Sequence, residues 1–326
     1  MRIKGREIAE KIFVDLQKRA GELQKKGITP HLVVILIGQS PASVAYVNQK
    51  QKRGEETGVK VTVLRYDETV TTQTLTKKVK ELNNDKTVHA ILIQRPVPAH
   101  IDVEKLVALT DPQKDIDGFH PDSPYTLPLP LSVMKIIEEI YKLRKAVGVT
   151  RVGDPHRAHA AATRSSTLKD EPSGSDSNET SDGGGERQYP DKVKSWLKSK
   201  NIITIGKGPT GGKPVIEHLK KFGLNPTIID SKTSNPDQII KNADIIVSCV
   251  GRENVIKPGS LKKGVILIGV GIFRGKDGKL HGDYNESEIE NIASFYTPTP
   301  GGVGPVNVAM LMDNLLTAAE KQTQNP

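Results

Sequence analysis

Residues 31–38 read H-L-V-V-I-L-I-G, an unbroken apolar run with no polar face. A strand of that kind must be covered on both sides, the situation of a parallel sheet sandwiched between helices. Comparable runs recur at 61–66, 89–94, 202–206, 227–230, 244–250, 264–270 and 293–297. Helical spacing fills much of the chain between them. Ile8, Ile12, Leu16, Ala20 and Leu23 mark one face of a helix over 5–26. Further helices are predicted over about 42–57, 73–84, 131–145, 211–223 and 306–321, with a helical turn near 236–243. The alternation predicts an α/β class with right-handed crossovers, and 326 residues suffice for two domains, each with its own core.

Between the two sets of runs, residues 151–190 are rich in Ser, Thr, Gly and Asp and nearly devoid of large apolar side chains. That composition predicts a disordered insert over about 148–190. It holds five basic and seven acidic residues, a net of −2, so of the chain's +9 the rest carries +11. The basic residues are spread over many helical faces and aromatics amount to 4%, so nucleic acid is not expected as a partner. A solvated surface that steers anionic small molecules accounts for the excess. No apolar run is long enough to span a bilayer, and the N-terminus M-R-I-K-G-R lacks the apolar core of a signal peptide. No membrane association is expected, and the location is read as cytoplasmic. Cys249 is the only cysteine, which fits a reducing compartment and excludes a Cys-rich metal site. The histidines show no ligand spacing, and no metal is expected.

Residues 203–214, I-T-I-G-K-G-P-T-G-G-K-P, place a glycine-rich turn between a strand and a helix. Gly206, Gly208, Gly211 and Gly212 approximate a dinucleotide fingerprint rather than a P-loop, because such a turn lets a phosphate approach the backbone at a helix N-terminus. Asp230 follows at the end of the next strand, where a carboxylate bonds a ribose 2′-hydroxyl and repels a 2′-phosphate. Lys207, Ser231 and Lys232 instead suit such a phosphate, so these residues leave NAD and NADP both open.

Tyr46 and Lys50 lie four apart and share a helical face. A phenol beside a lysine whose pKa burial lowers is suited to proton transfer. Downstream stand I-Q-R-P-V-P at 93–98, P-Q-K-D-I-D-G-F-H-P at 112–121 and T-P-T-P-G-G-V-G-P at 297–305. Together with the nucleotide turn, and in this order, these motifs resemble those of the bifunctional methylenetetrahydrofolate dehydrogenase/cyclohydrolase family. The resemblance runs over nearly the whole chain outside the insert.

It implies two α/β domains with parallel-sheet cores, the second a Rossmann-type dinucleotide-binding domain, and an active site in the interdomain cleft. Residues 1–130 plus 297–326 would form the folate-binding catalytic domain, with 306–321 packing onto it, and 131–296 the NAD(P)-binding domain. The implied function is oxidation of 5,10-methylenetetrahydrofolate by hydride transfer to NAD(P), then hydrolysis to 10-formyltetrahydrofolate. Lys50 would be the catalytic lysine, with Tyr46, Gln94 and Asp117 around it on the pterin, and Pro300, Gly301 and Gly302 shaping the substrate site. The glycine turn, Lys207, Asp230, Ser231, Lys232, Gly251, Gly271 and Ile272 would hold the cofactor, NADP by resemblance with NAD as the alternative. Folate as substrate and a homodimeric assembly are implied likewise. Departures fall mainly on the nucleotide side: Lys207-Gly208 stands for the usual Arg-Ser, Asp230 for a histidine, 127–130 (L-P-L-P) for P-C-T-P, and Gly269-Val270-Gly271 for D-V-G. Arg95 stands in place of an apolar residue after Gln94.

Overall fold

The computed structural model describes residues 1–146 and 189–324; positions 148–188 of the expected insert lie outside the described residues. The first stretch runs α1 (Gly5–Lys25), β1 (His31–Ile37), α2 (Pro41–Thr57), β2 (Lys60–Tyr66), α3 (Thr72–Asn84), β3 (Ala90–Ile93), α4 (Val103–Leu109) and α5 (Pro128–Ala146). The second runs α6 (Asp191–Lys198), β4 (Ile202–Ile205), α7 (Gly212–Lys221), β5 (Thr227–Ile229), α8 (Pro236–Ile240), β6 (Ile245–Ser248), β7 (Ile266–Gly269), β8 (Ile272–Arg274), β9 (Leu280–Gly282), α9 (Glu286–Ile289), β10 (Phe295–Tyr296) and α10 (Val303–Gln324). These residues group into two compact units, a first comprising 9–128 and 307–324 and a second comprising 1–8, 129–146 and 189–306.

The first unit is built on a parallel sheet in the order β2-β1-β3, with Val34 facing Val63 on one side and Leu92 on the other. Strand alternation divides β1 between two cores. Leu32, Val34 and Leu36 pack in a cluster with Phe13, Leu16 and Ala20 of α1 and with Leu311, Leu315 and Ala319 of α10. Val33, Ile35 and Ile37 turn the other way, onto Leu75 and Val79 of α3 and Leu106 of α4. The apolar run at 31–38 is therefore buried on both faces, as its composition requires.

The second unit has a five-stranded parallel sheet in the order β10-β7-β6-β4-β5. Its chain reverses direction across the sheet between β4 and β6, so the crevice beyond their carboxyl ends is the topological switch point where such sheets bind ligands. Strands β8 and β9 form a separate antiparallel hairpin.

Two pieces of chain group differently from the expected boundaries. Residues 1–8 belong with the second unit because the N-terminus pairs with the edge of its sheet: Ile3 N–H donates to Tyr296 O at 2.7 Å and Tyr296 N–H to Met1 O at 3.0 Å. Residues 297–306 follow β10 directly and stay with that unit too.

Candidate active site

Helix α2 buries Ser43, Val47, Lys50, Gly54 and Thr57, positions that follow one another at three- and four-residue steps and so form one stripe. Lys50 thus sits on the inward face, 5% exposed, where an exposed face would be the ordinary place for a lysine. Its ammonium donates to Gln94 Oε1 at 2.9 Å. Gln94 extends from the carboxyl end of β3, its own N–H bonded to Ile35 O at 2.9 Å, and its Nε2 donates to Arg95 O at 2.7 Å. That second bond fixes the amide so that its oxygen faces the lysine. Lys50 Nζ also stands 5.2 Å from the centre of the Tyr46 ring.

Burial pushes the Lys50 pKa down, and the nearby Asp117 offsets part of the fall. Burial pushes Asp117 up, while Lys50 and Arg95 pull it back. Burial likewise raises Tyr46, against a hydrogen bond from Asn307. Low-polarity surroundings therefore move both members of an acid–base pair towards their neutral forms, which lowers the cost of moving a proton between them and a third group.

Within 112–121 the charged residues divide their work. Lys114 donates to the carbonyls of Leu82, Asn83 and Asp85 at 2.8–2.9 Å, closing the C-terminal end of α3. Asp115 accepts from the His120 N–H at 2.6 Å and holds the turn, with Gly118 at φ +73° and its would-be Cβ 2.7 Å from Tyr125 O. Only glycine fits there. Asp117 is the carboxylate of this segment whose charge acts on Lys50.

In the second unit the glycine-rich turn sits at the switch point. Gly206 has φ +90°, and a Cβ on Gly212 would run into the Gly206 carbonyl, so these two glycines permit close approach of α7 to β4. Gly211 faces Cys249, whereas a Cβ on Gly208 would meet nothing within 4 Å. This is a backbone cradle of the shape a dinucleotide phosphate needs, at the N-terminus of a ten-residue helix. Lys207 Nζ contacts Asp230 Oδ2 at 2.6 Å, and Asp230 also accepts from the Lys232 N–H at 2.9 Å. The Lys207 contact first, then the Lys232 bond, depress the Asp230 pKa to about 2. Ser231 and Lys232 are exposed beside it.

Gly251, with φ +72°, abuts Ile272 O, and Gly271 packs against Gly251 N and the Asp283 carboxylate, so Gly251, Gly271 and Ile272 pack together beside Asp283. Pro300, Gly301 and Gly302 also belong to this unit, after a cis Thr299–Pro300 bond; Gly301 has φ +103°. Tyr46, Lys50, Gln94 and Asp117 are thus gathered in the first unit, and the remaining expected site residues in the second. Among the described residues no three His, Cys, Asp or Glu side chains converge as metal ligands do.

The chain matches the tetrahydrofolate dehydrogenase/cyclohydrolase catalytic domain over residues 3–117 and the NAD(P)-binding domain of the same name over 189–323. It is 34% identical over 321 residues to the bifunctional protein FolD of Lacticaseibacillus casei, covering 98% of each chain. The chain belongs to the tetrahydrofolate dehydrogenase/cyclohydrolase family.

The FolD of Lactococcus lactis subsp. cremoris is 31% identical, covering 98% of this chain and 97% of its own. The crystal structure of the bifunctional enzyme FolD from Campylobacter jejuni superimposes with a TM-score of 0.79 at 29% identity, covering 98% and 99% of the two chains. The Trypanosoma brucei enzyme, solved with NADP and an inhibitor, gives 0.72 at 25%, covering 99% and 98%. As a family member, this chain oxidises 5,10-methylenetetrahydrofolate to the methenyl form with an NAD(P) cofactor and hydrolyses the product to 10-formyltetrahydrofolate. The catalytic-domain match holds Tyr46, Lys50, Gln94 and Asp117. The NAD(P)-binding match holds the glycine turn and Asp230.

Two residues at these sites escaped the sequence reading. Asp283 is fully buried and accepts from Ser248 Oγ at 2.6 Å and from the N–H groups of Val250, Gly251 and Arg252 at 2.6–3.0 Å. It pins the loop after β6 that borders the cradle. Asn307, in α10, donates through Nδ2 to the Tyr46 phenol oxygen at 2.9 Å. The only local signal for either was a polar residue within an otherwise apolar or turn-forming context.

Proposed function

We propose that Lys50 transfers the protons of the hydrolysis step, while Tyr46, Gln94 and Asp117 bind and orient the pterin. The observation that carries this reading is the buried Lys50 held on Gln94 Oε1 at 2.9 Å. A lysine whose pKa is lowered by burial has an accessible neutral form, so it can take a proton from a water that attacks the methenyl carbon. Its proton can then go to the ring nitrogen that departs when the bridge opens. Asp117 supplies a carboxylate for pterin N–H groups, and its charge is balanced by Lys50 and Arg95.

The dehydrogenase step needs no base, because the flanking nitrogen lone pairs expel hydride from the bridging CH₂. Bound at the glycine cradle, the dinucleotide supplies the hydride acceptor. Gly206 and Gly212 leave backbone room for its phosphates. We assign NADP to this cradle. Asp230 is already engaged by Lys207 and by its own turn, which blunts its repulsion of a 2′-phosphate, and Lys207, Ser231 and Lys232 surround that position. Pro300, Gly301 and Gly302 shape the substrate's surroundings through backbone, having no titratable side chain.

The domain reading that goes with these roles assigns folate chemistry to 1–130 plus 297–326 and the cofactor to 131–296. No described helix is long and apolar enough to cross a membrane, and with the single Cys249 this supports a cytoplasmic location. A homodimer is proposed on the β8–β9 hairpin, where Leu280 is 40% exposed, and sedimentation analysis tests it. Absorbance-monitored oxidation of methylenetetrahydrofolate with NAD and NADP in parallel tests the cofactor assignment. A higher kcat/KM with NAD would refute it.

A further inference from the structure

Helix α10 places Asn307 against the phenol of Tyr46, 261 positions away in sequence. The amide is used on one side only. Its Nδ2 donates to the Tyr46 oxygen, while its Oδ1 is buried and meets no donor among the described residues. Amide oxygen and nitrogen are about 2.3 Å apart, so Oδ1 lies within roughly 5 Å of the phenol oxygen. A phenol oxygen that accepts this hydrogen bond keeps its own O–H proton for another acceptor. An unsatisfied buried acceptor costs stability, and this one belongs to the amide that holds the Tyr46 phenol.

We propose that Asn307 is a positioning residue of the folate site, acting through Tyr46. It holds the phenol so that the O–H proton points at the substrate. The half-used amide is a cost to the folded chain that substrate orientation offsets. This rests on the reading of Tyr46 as a pterin contact.

The test uses Asn307→Leu, of similar volume but with no hydrogen-bonding groups, alone and combined with Tyr46→Phe in the full-length protein. Loss of one neutral hydrogen bond that orients the substrate predicts a three- to tenfold lower kcat/KM for methylenetetrahydrofolate, about the factor such bonds carry. The KM for the dinucleotide stays within about twofold, and Tm is unchanged or higher because the orphan oxygen is gone. In the Tyr46→Phe background the same substitution changes folate kcat/KM by less than about twofold.

A Tm several degrees lower with unchanged folate kinetics overturns the proposal and makes Asn307 structural. A loss that is fully additive with that of Tyr46→Phe also overturns it, while leaving Tyr46 at the pterin. Unchanged folate kinetics in Tyr46→Phe itself overturns the proposal by removing the reading on which it rests.

Discussion

Lys50 donates to Gln94 Oε1 at 2.9 Å, across 44 positions of sequence and between the inward face of α2 and the end of β3. The Gln94 amide cannot turn its nitrogen to the lysine without giving up its 2.7 Å bond to Arg95 O. The lysine is therefore met by a neutral acceptor. Burial lowers its pKa, and the carboxylate that offsets the fall belongs to Asp117.

Replacing that neutral acceptor by a charged one should move the pH dependence. Gln94→Glu puts a second carboxylate beside Lys50, favours the ammonium and raises the lysine pKa. Less neutral lysine is then present at pH 7, and the acid limb of the cyclohydrolase profile should shift upward by about one unit or more. A pH–rate profile of the variant checks this; an acid limb that stays in place means Lys50 is not the titrating group.

The glycine turn makes a steric prediction with its own control. A Cβ at residue 212 collides with the Gly206 carbonyl, whereas one at 208 meets nothing within 4 Å. Gly212→Ala should weaken dinucleotide binding about tenfold or more and Gly208→Ala by less than about threefold, since the first must push α7 from β4. Titration calorimetry with NADP separates the two, and equal effects would contradict this account of the cradle.

Asp283 serves the loop after β6, with four donors on one buried carboxylate. Asp283→Asn turns an N–H₂ towards N–H groups and leaves some of them unpaired, which should cost about 3 kcal/mol of stability. Dinucleotide affinity should fall as well. Urea denaturation and a binding titration measure the pair, and unchanged values in both would show that the loop holds without the carboxylate.

His218 gives a stability prediction independent of catalysis. It is 8% exposed, its Nε2 has no partner among the described residues, and burial, helped by Lys221, pushes its pKa down to about 4. The unfolded chain titrates near 6.5, so it binds the proton more readily than the folded one between those values. The neutral imidazole's contribution is complete above about pH 6.5 and falls by about 3 kcal/mol as the pH drops towards 4. His218→Phe should flatten that part of the profile, and denaturation at pH 7 and pH 4.5 tests it; an unchanged slope would contradict the buried-neutral assignment.

What could be read without the structure follows from locality. The strand runs show as apolar segments, and the glycine turn as a strand-to-helix junction. The Tyr46–Lys50 pair shows as an i, i+4 spacing. The pairing of residues 1–3 with β10 joins chain segments nearly 300 positions apart, and nothing within either segment announces the other. Asn307 carries no periodic signal for the same reason. In α10 it reads as one polar residue in an apolar stretch until the fold sets it on Tyr46. The hairpin of β8 and β9 was legible in principle from G-K-D-G at 275–278, but strands of three residues each give too little alternation to declare themselves.

Lys50, as proposed, moves protons in the hydrolysis step and is not needed to expel hydride. The direct measurement is both activities of Lys50→Gln, with methylenetetrahydrofolate oxidation and methenyltetrahydrofolate hydrolysis followed by absorbance on the same preparation. A cyclohydrolase loss of at least about 100-fold, the ordinary scale for removing a general acid–base group, is expected, with dehydrogenase turnover retained. Cyclohydrolase activity within a few-fold of wild type would contradict it.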